Sequence, residues 1–314
     1  MLRKLLPPPY DESQFICEKV NAVALDRKTN KPPEKNLRKR KEYIMFDLHI
    51  HTHNSVDSEQ TLDEICESAI QRGLKGIAIC DHVDLWFIHN LRTEDAIRNC
   101  IEEVKRAKEH YGSRLEILQG VEMAEYLFDP VGAERILSLC PFDVILGSVH
   151  SVRFEDIEDS YSRIDFSSMP MEKIHSFLKE YFRHVLEMVE NTDFDVLTHL
   201  TCPLRYINGK YNRNVDIMQH KDEIFTILEK IIRKNIALEI NTSGLDSNFG
   251  EYMPPLFLLE AYKNMGGKRI TLASDAHVPQ NIAKGFEKTA ALLQDIGFDG
   301  YCVFRKRKLC VQGF

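Results

Sequence analysis

From residue 43 onward the apolar positions recur in a two-part unit. A short apolar run is followed by a polar turn and then by a stretch with apolar residues every three or four positions. The short runs predict strands over 44–51, 76–81, 115–122, 143–148, 195–199, 236–241 and 269–274. The longer stretches predict helices over 61–72, 93–111, 131–139, 171–190, 216–234, 254–265 and 279–296. Local signals agree at the first helix, where Thr61-Leu62-Asp63-Glu64 has the spacing of a capping box and Gly73 stands where the helix should stop. Strands alternating with helices predict parallel pairing through right-handed crossovers. Seven such units are too many for a small open sheet, so the pattern predicts closure into a barrel.

Side chains alternate across a strand, so Asp47, His49 and His51 share one face of the first run and Phe46, Leu48 and Ile50 the other. Two imidazoles two residues apart on a rigid strand form a chelating pair. A lone His-x-His would be read as two unrelated histidines, but metal-type residues recur at later strand ends. The second run ends in Asp81-His82, the third in Glu122, the fourth is followed by His150, the fifth ends in His199, and the seventh runs into Ser274-Asp275-Ala276-His277. The sixth, closing on Asn241, is the exception. In a βα barrel these ends form the active face. Mixed imidazole and carboxylate ligands without thiolate suit catalytic Zn²⁺, Mn²⁺ or Fe²⁺. Two or three such ions close together suit hydrolysis of a phosphate monoester. His110, His175, His184 and His220 fall in helical patterns and read as surface or core residues, while His53 and His89 lie in loops near the site.

Composition narrows the class. The 314 residues, 43% apolar, suffice for one large core or two modest ones. A net charge of −7 and the lack of aromatic-basic interleaving argue against a nucleic-acid partner. Residues 1–42, with Pro7-Pro8-Pro9 and Pro32-Pro33, read as an N-terminal extension, partly mobile or wrapping the catalytic domain of 43–314. The runs Arg38-Lys39-Arg40-Lys41 and Arg305-Lys306-Arg307-Lys308 read as solvated charge clusters. Eight cysteines without a CxxC pair read as reduced thiols, the first residues are too proline-rich for a signal peptide, and no run reaches membrane-spanning length. The expectation is a cytoplasmic protein that does not engage a membrane. A homo-oligomer is compatible with the chain, although no residue specifies an interface.

The segments Asp47-Leu48-His49-Ile50-His51-Thr52, Cys80-Asp81-His82, Gly120-Val121-Glu122, His150, His199 and Ser274-Asp275-Ala276-His277 resemble the motifs of the PHP (polymerase and histidinol phosphatase) superfamily, in order and spacing. Gly147-Ser148-Val149-His150, residues 238–245 and the segment 282–286 resemble its metal-dependent histidinol-phosphatases. The resemblance implies a distorted (β/α)7 barrel with a metal cluster at the C-terminal ends of the strands. It implies three divalent ions (Zn, Mn or Fe) held by His49, His51, Asp57, His82, Glu122, His150, His199, Asp275 and His277. Asp57 is a ligand on the resemblance alone; its loop could equally cap the helix at Thr61. Asp47 and Asp81 read as partners that hold ligand imidazoles.

The implied reaction converts L-histidinol phosphate to L-histidinol and phosphate by a metal-bridged hydroxide, with Glu122 as bridging carboxylate. The proton for the leaving group comes from Asp275, His277 or a water. Arg205 is the first choice to hold the phosphoryl oxygens and Arg153 the second. The acidic and aromatic loop 151–170 reads either as a cover that receives a cationic imidazole or amine, or as a solvated loop. The rivals are a family phosphoesterase acting on nucleotides, sugars or phosphotyrosine, and a metal-binding module without turnover.

Overall fold

The structure is a computed structural model that describes residues 44–85, 91–245 and 247–314. The predicted extension over 1–42, residue Cys17 and loop residue His89 lie outside the described residues.

All seven predicted strands form: β1 (Phe46–Ile50), β2 (Gly76–Ile79), β4 (Glu116–Ala124), β5 (Val144–Ser148), β8 (Val196–Leu197), β9 (Ala237–Asn241) and β10 (Ile270–Ala273). They pair in parallel in the order β1-β2-β4-β5-β8-β9-β10. The two edges approach through a parallel bridge between Ile50 and Ala276, with His51 N donating to Ala276 O at 3.1 Å. The result is a nearly closed, distorted (β/α)7 barrel. Seven helices cover it: α1 (Leu62–Gln71), α2 (Leu91–Tyr111), α3 (Pro130–Leu137), α4 (Met171–Asn191), α5 (Lys221–Lys234), α6 (Leu256–Asn264) and α7 (Phe286–Ile296).

The expected start of α1 is realised on both sides. Glu64 N donates to Thr61 Oγ1, and Thr61 N donates to Glu64 Oε2 at 2.8 Å. Gly297, at φ 99°, ends α7 in the left-handed region that glycine enters without cost. The core lies between barrel and helices. Ile65 and Cys66 of α1, Phe177 and Val189 of α4, and Ile227 and Ile231 of α5 are fully buried against strand residues such as Ile77 and Leu238. Each such aliphatic side chain contributes about 1.5–3 kcal/mol through burial.

Four elements were not expected. After β2 the chain breaks at Cys80-Asp81 and resumes as β3 (His82–Asp84), which pairs with the C-terminal part of β4. A hairpin, β6 (Ser151–Phe154) and β7 (Ile157–Ser160), follows β5. Arg205–Lys210 forms a wide, π-helical turn after β8. The last hairpin, β11 (Gly300–Arg305) and β12 (Lys308–Gly313), lies against the N-terminal ends of the barrel strands. Tyr301 there accepts from Phe46 N and donates to Ile44 O, each at 2.9 Å.

The hairpin corrects the reading of 305–308 as a solvated cluster. Arg305 forms a two-point pair with Glu116, and Arg307 pairs with Asp195 at 3.1 Å and Asp193 at 3.0 Å. Lys306 N and Arg307 N both donate to Asp143. The seven described cysteines are free thiols, and no described helix is long and apolar enough to cross a membrane.

Candidate functional site

The C-terminal strand ends open on one cavity of about 370 Å³. β1 carries His49 and is followed directly by His51, both fully buried. β3 supplies His82, β4 supplies Glu122, and the turns after β5 and β8 supply His150 and His199. Asp275 and His277 follow β10, and Asp57 sits on the loop between β1 and α1. Asp275 holds φ 51°, a left-handed conformation that costs a non-glycine residue about 1 kcal/mol or more.

Glu122 stands at the middle of the group. Its Oε1 lies 3.0 Å from His199 Nε2 and 3.2 Å from His150 Nε2. Its Oε2 lies 2.8 Å from His82 Nδ1, 3.3 Å from His49 Nε2 and 3.6 Å from His51 Nε2. Asp275 Oδ1 is 3.2 Å from His51 Nε2, and Asp57 Oδ1 lies 3.3 Å from His277 Nε2 and 3.5 Å from His82 Nε2.

The hydrogen bonds on the far side of each ring decide what the near side offers. A carboxylate only accepts, so His49 gives its Nδ1–H to Glu239 Oε2 at 2.8 Å and turns its Nε2 inward. Ser55 spends its hydrogen on Asp81 Oδ1, so His51 Nδ1–H donates to Ser55 Oγ and the Nε2 of this neutral ring is a bare acceptor. Those two Nε2 atoms are 2.9 Å apart. His150 gives Nδ1–H to Asp84 Oδ1 at 2.9 Å and turns Nε2 toward Glu122 and His199.

Nitrogens facing one another at such distances need a proton or a metal cation between them. Glu122 Oε2, His82 Nδ1 and His277 Nε2 are also buried without a hydrogen-bond partner. Inward lone pairs held by outward N–H donors are the arrangement that metal-ligating histidines adopt. Donor atoms fall into overlapping groups within 4.8 Å of one another: His49, His51 and Asp275; His51, His82 and His277; Glu122, His150 and His199; and His82, Asp84 and His150. The residues fit bound divalent cations.

Electrostatics agrees. Burial acts to raise the Glu122 carboxyl, but His49, His150 and His82 hold it well below the ordinary range. Asp275 is likewise held well below it, against its burial, by His51 and His49. Burial and the neighbouring His82 and His277 push His51 well below the usual histidine value, so it stays neutral. His49, which burial acts to lower, is instead raised well above it by Glu122 and Glu239. The site thus holds negative charge in a dry environment and calls for positive charge beside it.

The two arginines part company. Arg205 lines the cavity, donates to Ser243 Oγ at 3.0 Å and to Tyr206 Oη at 2.9 Å, and stacks on the Tyr206 ring at 5.2 Å. Arg153 does not line it. It pairs with Glu158 at 2.9 Å, lies over the Phe128 ring, and borders a separate cavity of about 460 Å³. Sequence spacing from His150 suggested Arg153, but the β6–β7 hairpin carries it away from the strand ends. Arg163, after the hairpin, lines the catalytic-face cavity instead.

The PHP domain family matches residues 47–243. This chain belongs to that family. The PHP chain is 28% identical over 266 residues to the histidinol-phosphatase of Lactococcus lactis subsp. lactis (strain IL1403), covering 84% of this chain and 96% of that protein. It is 26% identical over 273 residues to a probable histidinol-phosphatase of Thermotoga maritima, covering 85% and 99%. Among solved structures, the histidinol phosphate phosphatase of L. lactis, complexed with zinc, L-histidinol and phosphate, superposes with a TM-score of 0.71 at 26% identity. The match spans 86% of this chain and 100% of that one.

Within the PHP barrel, two supporting aspartates depart from expectation. Asp47 touches no ligand imidazole. It accepts from Ser274 N, Ser274 Oγ and Ala283 N and so ties β1 to the segment after β10, while burial pushes its carboxyl up to about 6. Asp81 accepts from Thr52 N, Thr52 Oγ1 and Ser55 Oγ, and reaches His51 only through Ser55. The residue that holds His49 is Glu239, in the one strand whose end lacked a histidine or carboxylate. Its signal was present in the alternation, because Glu239 and Asn241 share a face. His53 lies apart, half-exposed beside Glu103 at 3.4 Å, and the His175–His220 pair sits on the helical shell.

Proposed function

We propose that this PHP protein is a metal-dependent phosphatase whose substrate is L-histidinol phosphate, released as L-histidinol and phosphate. The observation that carries the reading is the convergence of inward-facing imidazole nitrogens and two ionised carboxylates on one cavity. The near full-length match to histidinol-phosphatases supports the choice of substrate.

The residues proposed to hold divalent ions are His49, His51, Asp57, His82, Glu122, His150, His199, Asp275 and His277, with one Glu122 oxygen facing His150 and His199 and the other facing His82 and His49. Ions bound there supply Lewis-acid charge, lowering the pKa of a water and neutralising the phosphoryl group. The chain's own contribution is positioning. Arg205, braced by Ser243 and Tyr206, and Arg163 are assigned to the phosphoryl oxygens, where a guanidinium fork binds in two-point fashion. Asp275, held ionised, has no proton to give, so the proton that the departing alkoxide takes up is assigned to His277 or to a water in the same cavity. Glu239, Asp84 and the Ser55–Asp81 pair keep the rings aimed inward.

The test is phosphate release by metal-analysed protein on L-histidinol phosphate, p-nitrophenyl phosphate and several nucleotides. The expected result is a kcat/KM preference for histidinol phosphate of about 100-fold or more, equivalent to about 2.7 kcal/mol of discrimination. Equal rates on all substrates would point to a phosphoesterase of another specificity. Bound metal without turnover would point to a non-catalytic module.

A further inference from the structure

The loop 151–170 reads from the sequence either as a cover that receives a cationic group or as a solvated loop, and in the structure its acids between 155 and 159 are engaged away from the cavity. Glu155 and Asp156 both pair with Lys173, Glu158 pairs with Arg153, and Asp159 with Arg163. None of these four acids lines the cavity. The carboxylates that do are Asp57, Asp84 and Asp275. Asp57 and Asp275 each face at least two ligand imidazoles. Asp84 faces one.

Its Oδ1 accepts from His150 Nδ1, and its Oδ2 makes no hydrogen bond among the described residues. Alternation along β3 puts Asp84 on the same face as His82, with Val83 buried behind. The side chain is about a quarter exposed and lines the cavity. The His150 ring that it holds stands edge-on to Tyr161, at 6.2 Å between centroids, and Tyr161 meets Tyr206 at 5.6 Å. An unengaged carboxylate oxygen in a cavity that Tyr161 and Tyr206 also line suits a cationic nitrogen on a ring-bearing alcohol.

We propose that Asp84 is a specificity residue, whose Oδ2 accepts a hydrogen bond from the ammonium or imidazolium of the leaving alcohol. This rests on the substrate reading above and names the residue that would enforce it. The alternatives are that Asp84 only orients His150, or that it is itself a metal ligand with His82 and His150.

Asp84→Asn and Asp84→Ser separate them. The readouts are the ratio of kcat/KM for L-histidinol phosphate over that for p-nitrophenyl phosphate, the inhibition constants of L-histidinol and inorganic phosphate, and metal content per chain. The expected result is that the ratio falls about 10- to 100-fold and the L-histidinol inhibition constant rises by a similar factor. Any loss from a less firmly held His150 acts on both substrates alike and cancels in the ratio. Equal losses on both substrates would overturn the proposal in favour of an orienting role, and loss of metal would overturn it in favour of ligation. Failure of the substrate reading is seen separately, as a wild-type ratio near one.

Discussion

At the scale of single residues, the site is a set of acceptors on the outside that fix donors pointing away from its centre. Glu239 shows this most sharply: at 1% exposure it accepts from His49 Nδ1, from His199 N at 3.1 Å and from Asn241 Nδ2 at 2.9 Å. Glu239→Gln is expected to weaken metal binding about 10- to 100-fold. The check is metal retained after dialysis against a graded chelator, with partial recovery of activity in excess metal. A variant that retains metal like the parent would deny Glu239 this role. His49, His51, His82, Glu122, His150, His199, Asp275 and His277 were legible as candidates because they stand at or just past the end of an apolar run, whereas Asp57 rested on the resemblance alone. The holders were not legible. Asp47 and Glu239 are both strand carboxylates on inward-facing positions, and only the pairing of strands decides that Asp47 meets Ser274 while Glu239 meets His49.

At the scale of elements, the strands and helices followed from periodicity, whereas every element outside the repeat was invisible to it. β3 is three residues long and arises because β4 extends beyond β2 and offers it a partner. The β6–β7 hairpin lacks strong alternation, and missing it led to Arg153 in place of Arg163. The β11–β12 hairpin is anchored by charge across long sequence separation, from Arg307 to Asp195 and from Arg305 to Glu116. Arg307→Ala would leave the mostly buried Asp195 without its cation, at an expected cost of about 1–3 kcal/mol. Thermal unfolding should show a lowered midpoint, with metal content and KM unaltered because the anchor lies at the opposite end of the strands. A change in metal content with no change in stability would contradict this account.

At the scale of the molecule, folding assembles a charged centre that is incomplete without cations. In the ion-free protein, His82 and His150, like His49, are raised well above the usual histidine value by Glu122 despite burial. A raised folded-state value adds stability below the unfolded value, and that stability is lost as pH rises through the folded one. Metal requires the neutral ring, so its stabilisation grows with pH over the same window. Melting temperatures of loaded and chelator-treated protein should therefore diverge between about pH 6 and about pH 8, with the gap larger at the upper value. A gap that narrows on the alkaline side would contradict the ligand assignment.

The anchored hairpin across the N-terminal strand ends also governs traffic. With Tyr301, Arg305 and Arg307 fastened over that end, the described cavity opens at the opposite, C-terminal ends of the strands. In the proposed reaction ester and products would then use the same opening, and a slowly departing phosphate would delay the next arrival.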